Sequence, residues 1–148
     1  MTEQTDTQRW IVVGVDGSPS SVDALRWAVD QARARGAVVE AVTAWQHPVA
    51  TGWPVPVVAY ENPADSARNV LDEAVAEAAD AECRGGIRAR VVEGGAVSCL
   101  LDAARGADLL VVGSRGHGGF TGALLGSVGQ HCVQHAPCPV VVVRHPND

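Results

Sequence analysis

Apolar positions along the chain fall in short unbroken runs separated by amphipathic stretches. The first run, "WIVVGVD" (10–16), ends on Gly and Asp. A run so short and continuous predicts a strand buried on both faces. "SPSSVDALRWAVDQARARG" (18–36) predicts a helix, with Ser18 as cap, Pro19 in the first turn and Gly36 after the last. Val22, Leu25, Ala28, Val29 and Ala32 share one face of it. "AVVEAVTAW" (37–45), "IRARVVE" (87–93), "ADLLVVGS" (107–114) and "VVVVR" (140–144) predict four more strands. "ADSARNVLDEAVAEAADAECRGG" (64–86, closed by Gly85), "AVSCLLDAAR" (96–105, stopped by Gly106) and "SVGQHCVQH" (127–135) predict three more helices. The four prolines of 46–63 exclude a helix or a central strand and predict a long surface loop, a kind of segment that is often functional.

Strands alternating with helices imply a parallel sheet covered on both faces, a Rossmann-like α/β fold. With the first strand central, the order is 3-2-1-4-5. No repeat, linker or low-complexity segment interrupts the pattern. The expectation is therefore one domain over 1–148, with 1–8 as a flexible lead-in. At 148 residues, 47% apolar and 19% charged, the chain has the size and composition of one globular core.

Charge narrows the chemistry. The net charge is −6 with no basic stripe, which argues against nucleic acid and anionic membrane as partners. All eleven cationic side chains are arginines, so a lysine-dependent phosphate loop and a Schiff base are excluded. The opening "MTEQTDTQR" lacks an apolar signal region, and no apolar run approaches the roughly 20 residues that span a bilayer. A cytoplasmic protein is expected. Cys83, Cys99, Cys132 and Cys138 form no CxxC pair and come without a secretion signal, so they read as small buried thiols. His131 and His135 lie one helical turn apart near Cys132 and Cys138, but Cys132 points about 100° away around the helix, so no metal site is expected.

The stretch "GSRGHGGFTGALLGS" (113–127) places six glycines between the fourth strand and the last helix. In open parallel sheets ligands bind beyond the carboxyl ends of the strands, where strand order reverses, here between strands one and four. "GVDGS" (14–18), with Gly14, Val15 and Asp16, meets the glycine stretch at that crevice. Glycines let backbone N–H groups face a ligand, successive N–H groups make anion-binding concavities, and a helix N-terminus favours an anion. Ser114 and Ser127 add hydroxyls and Arg115 a positive charge, a set suited to a polyphosphate. Asp16 is placed to accept from ribose hydroxyls or an adenine amine. There is no GxxxxGK[ST], GxGxxG or GxSxG motif, which weighs against other nucleotide loops and a serine nucleophile.

The spacing Gly113-x2-Gly116-x9-Gly126-Ser127 is similar to the G-2x-G-9x-G(S/T) signature of the ATP-binding branch of the universal stress protein family. "IVVGVDGSPSSVDALRWA" resembles that family's opening and "QHCVQHAPCPVVVVR" its close. The resemblance implies a 3-2-1-4-5 sheet with ATP in the crevice, accompanied by Mg2+ or Mn2+. It implies that Asp16 contacts the nucleoside and that Thr43 lies beside the adenine, largely through its backbone. Gly113, Arg115 and Gly116 would contact ribose and phosphates, and Gly126, Ser127 and Val128 would cradle phosphates. It also implies a homodimer through the last strand, in keeping with the need to pair an edge made of "VVVV". One position departs: Gly129 stands where nucleotide-binding relatives often carry a hydroxyl.

Three functions follow as alternatives. The favoured one is an ATP-binding regulatory module whose occupancy biases the 46–63 loop or the dimer surface and so a partner protein under stress. The second is a slow ATP hydrolase or nucleotidyl-transfer enzyme. Phosphoryl transfer needs charge neutralisation and a positioned base, and His117 is the nearby candidate. The third is a dimeric stress protein that binds no nucleotide.

Overall fold

The computed structural model describes residues 8–47, 62–84, 86–115 and 125–146. Five strands alternate with helices: β1 (Trp10–Gly14), β2 (Val38–Trp45), β3 (Ile87–Glu93), β4 (Leu109–Gly113) and β5 (Val140–Val143). All pair in parallel, in the order β3-β2-β1-β4-β5, as the sequence predicts. The reversal of strand order falls between β1 and β4.

Alternation within the strands explains the unbroken apolar runs. Ile11, Val13, Val39, Ala41, Leu109 and Val111 belong to one buried cluster, and their neighbours Val12, Val42, Leu110 and Val112 belong to a second. Each side of the sheet has its own core, so the central strands β1 and β4 carry no polar side chain on either face. Helices α1 (Pro19–Arg35) and α2 (Pro63–Ala78) cover the first side; α4 (Ala96–Ala103) and α5 (Ser127–His135) cover the second.

The punctuation of α1 is as expected. Ser18 is the N-cap, accepting from the Ser21 N–H, Pro19 opens the helix, and Gly36 closes it at φ 66°. Val22, Leu25, Ala28, Val29 and Ala32 are all buried. The helix expected over 64–86 is two helices. The first, α2, opens with Asn62 as N-cap and Pro63 inside it, and ends where Ala79 turns extended (φ −134°, ψ 140°). A four-residue helix, α3 (Ala81–Arg84), follows. Ala79 is 6% exposed and belongs to the first cluster, so the break drives a small side chain into the core. Arg84 then reaches back to donate to the carbonyls of Ala79 (3.2 Å) and Ala76 (3.3 Å), which the helix end leaves open. Gly85, expected to close the helix, lies outside the described residues, as does most of the expected 46–63 loop.

The two sheet edges differ. On β3, Arg88 and Arg90 are exposed, and Arg90 pairs with Glu40 of β2. On β5, all four valines are half-buried. Among the described residues, no helix is long and apolar enough to cross a membrane.

Candidate functional site

The carboxyl ends of β1 and β4 carry the two segments that the sequence singles out. At β1, the Val15 N–H donates to the Val42 carbonyl (2.9 Å), and the Thr43 hydroxyl donates to the Val15 carbonyl (2.9 Å). Thr43 is buried, and its hydroxyl knits β2 to the β1 loop. The chain then turns through Gly17 at φ 84°. Asp16 accepts from the Ser18 N–H (2.9 Å), and the Asp16 N–H donates to Ser21 Oγ (3.3 Å). Asp16 itself is exposed at the mouth of the crevice.

At β4, Gly113 needs to be glycine for a steric reason. A Cβ there would lie 2.7 Å from the carbonyl carbon of Ser20, in the first turn of α1. Ser114 is 2% exposed, and its N–H donates to the Val143 carbonyl at the end of β5 (2.8 Å). Its carbonyl accepts from the Gly126 N–H (2.7 Å), so the two ends of the glycine-rich stretch are brought together. Arg115 is half-buried, and its carbonyl accepts from the Ser18 hydroxyl (3.2 Å). Gly116 and His117 lie outside the described residues.

The first turn of α5 supplies the anion-binding geometry. Its N-cap is Gly126 (φ −67°, ψ 161°), which has no side-chain cap, as at Gly95 of α4 and unlike Ser18 and Asn62. First-turn N–H groups have no partner within a helix and carry the positive end of its dipole. Ser127 is exposed, Val128 half-buried and Gly129 buried. Gly129 packs close to β4: a Cβ there would sit 3.6 Å from the Gly113 carbonyl oxygen and 2.9 Å from Leu125 Cδ1. Gly14 faces Leu100 of α4, its own missing Cβ lying 2.8 Å from Leu100 Cδ1.

The structure thus gathers Gly14, Val15, Asp16, Thr43, Gly113, Ser114, Arg115, Gly126, Ser127, Val128 and Gly129 around the β1–β4 reversal. Among their polar side chains, those of Asp16 and Ser127 are exposed, that of Arg115 is half-buried, and those of Thr43 and Ser114 are buried. Two features escape sequence reasoning. Ser18 caps α1 and also ties the two loops together. Arg144 is exposed immediately after Val143, the register partner of Gly113, and so adds a second cation at the same end of the sheet.

The histidines and cysteines of the last helix do not converge. His131 Nδ1 lies 2.8 Å from the Ser127 carbonyl, within donating distance, while Cys132 is fully buried. No cluster of three or more metal-ligating side chains occurs among the described residues. Cys99, Cys132 and Cys138 are free thiols, and burial pushes each above the ordinary thiol range.

The model of the universal stress protein family matches residues 8–144. A universal stress protein of Mycobacterium tuberculosis strain H37Rv is 37% identical over 141 residues, covering 90% of this chain and 47% of that protein. The chain spans about half the length of the curated relatives it matches. Among solved structures, a universal stress protein in complex with cAMP is 30% identical with a TM-score of 0.66, covering 93% of this chain and 97% of that one. A universal stress protein from Archaeoglobus fulgidus in complex with dAMP shares the fold at 24% identity and a TM-score of 0.65, covering 91% of this chain and 97% of its own. With its 3-2-1-4-5 sheet and a family match over nearly its whole length, the chain belongs to the universal stress protein family.

Proposed function

We propose that this protein binds an adenine nucleotide, ATP foremost, in the crevice between the β1 and β4 loops and acts as a nucleotide-dependent regulatory module in the stress response. The observation that carries this reading is the hydrogen bond from Gly126 to Ser114, which holds the uncapped N-terminus of α5 against the end of β4. An anion at that place would meet first-turn N–H groups, the Ser127 hydroxyl and Arg115, while Asp16 stands across the crevice for a ribose or a base. The similar protein solved with cAMP, alike along almost its whole length, supports the adenine class.

The donor set suits a metal carried in by the ligand. Mg2+ or Mn2+ in nucleotide sites is commonly held largely by the nucleotide's own phosphates, and it would enter here with them. When bound, the ion would neutralise phosphate charge that the arginines leave uncovered. The role is regulatory rather than catalytic, and the setting is the cytoplasm.

Dimerisation through β5 belongs to the same reading. An all-valine edge strand invites pairing, whereas the opposite edge carries exposed arginines that discourage it. Light scattering at micromolar protein should report twice the chain mass; a monomer would overturn this part.

Calorimetric titration of ATP with Mg2+ into nucleotide-stripped protein tests the central reading, with Gly126→Val as the paired variant. The extended backbone at Gly126 accepts valine without strain, so the change adds bulk at the phosphate position. Binding near micromolar in the parent and a loss of about tenfold or more in the variant are expected. Equal affinity in both would show that the cradle lies elsewhere. A turnover assay on the parent and His117→Ala separates binding from hydrolysis.

A further inference from the structure

The four serines Ser18, Ser20, Ser21 and Ser114 are each at most 4% exposed and cluster between the start of α1 and the end of β4. Buried hydroxyls cost stability unless hydrogen-bonded, and no buried side-chain polar atom among the described residues lacks a partner. At the centre is Ser18. Its Oγ accepts from the Ser21 N–H (3.3 Å) and donates to the Arg115 carbonyl (3.2 Å), 97 positions along the chain. Its N–H donates to Asp16 Oδ1, and its carbonyl accepts from the Ser21 hydroxyl (2.9 Å).

An N-cap needs only an acceptor. The Ser18 hydroxyl also acts as a donor, and that second bond reaches the residue where the glycine-rich stretch leaves β4. We infer that Ser18 is a positioning residue for the nucleotide crevice: its hydroxyl fixes the Arg115 carbonyl and so holds Ser114 and Arg115, at the end of β4, against the first turn of α5. The inference rests on the nucleotide reading above. It goes further by assigning a function to a buried residue outside the expected ligand contacts and by making the α1 cap and the end of β4 one mechanical unit. Ser114 continues the unit, since its N–H is held by β5 and its carbonyl holds Gly126.

Substitution tests the tie. Ser18→Gly removes the hydroxyl and with it both of its bonds, but glycine is tolerated at an N-cap far better than alanine. Ser18→Thr keeps both donor and acceptor. Amide exchange in the nucleotide-free protein is the first readout. Ser18→Gly should speed exchange at Ser114 and Gly126 by about five- to tenfold more than at core amides such as Val12, with protection restored in Ser18→Thr. The second readout is calorimetry with ATP and Mg2+, where Ser18→Gly should weaken binding by a similar factor.

Unchanged exchange at Ser114 and Gly126 in Ser18→Gly would overturn the tie. Faster exchange with unchanged ATP affinity would overturn the positioning role. If the parent protein binds no nucleotide, the nucleotide reading fails and the positioning role fails with it, while the exchange data alone decide whether the tie exists.

Discussion

A Cβ on Gly113 would lie 2.7 Å from both the carbonyl carbon and the Cβ of Ser20. Gly113 is not in the left-handed region, so backbone freedom is not the reason for glycine here. The reason is contact: the first turn of α1 rests directly on the end of β4. Gly113→Ala must push backbone against backbone, and overpacking of this kind costs about 1–3 kcal/mol. Urea unfolding should show that loss with an unchanged m-value. A variant as stable as the parent would mean that α1 can retreat from β4.

Gly129 raises the opposite case. An added Cβ would meet the far end of a flexible side chain, Leu125 Cδ1 at 2.9 Å, and the Gly113 oxygen at an ordinary 3.6 Å. Gly129→Ser should therefore cost little stability. It places a hydroxyl in the first turn of α5, where one further phosphate hydrogen bond is worth about 1 kcal/mol, or roughly fivefold in affinity. Calorimetry with ATP and Mg2+ should show tighter binding. Weaker binding would mean that the added atoms intrude on the ligand or displace Leu125 into it.

Arg84 explains how α2 ends without a glycine. Its guanidinium donates to the carbonyls of Ala76 and Ala79. Arg84→Ala should fray the last turn of α2 at a cost of about 1 kcal/mol, seen as faster amide exchange at Ala78 and Ala79. Unaltered exchange there would mean that burial of Ala79 alone holds the turn.

The architecture was legible in the sequence because burial on both sheet faces leaves unbroken apolar runs, as in "IVV" of β1, and because Ser18, Pro19 and Gly36 bracket α1 in the usual way. The crevice was legible because the sheet order sets Asp16 and the 113–115 segment side by side. The break at Ala79 was not legible. Alanine favours helix, and only the pull of the core and the distant reach of Arg84 end the helix there. The steric need for glycine at 113 is not legible either, for a similar cause. A pattern along one chain shows where glycine falls, not that Ser20, 93 positions earlier, presses on it. Arg144 comes to the same end of the sheet only through the pairing of Val143 with Gly113.

Cys132 predicts how stability changes with pH. It is fully buried on the inner face of α5, and burial raises its thiol pKa above the ordinary value. A raised pKa means that the folded state holds its proton after the unfolded chain, at roughly 8.5, has begun to release it. The contribution is complete below that value and is lost as pH rises toward the folded pKa. Cys99 and Cys138 shift in the same direction, also through burial. Unfolding free energy should therefore fall as pH rises above about 8.5 toward the folded-state thiol pKa values, with Cys132 contributing up to about 1.4 kcal/mol per pH unit. Cys132→Ala lowers stability at neutral pH by leaving a small cavity, but it removes that share of the alkaline slope. Urea titrations across this range decide the matter: parallel slopes in parent and variant would show that the Cys132 thiol ionises in the folded protein as readily as in the unfolded chain.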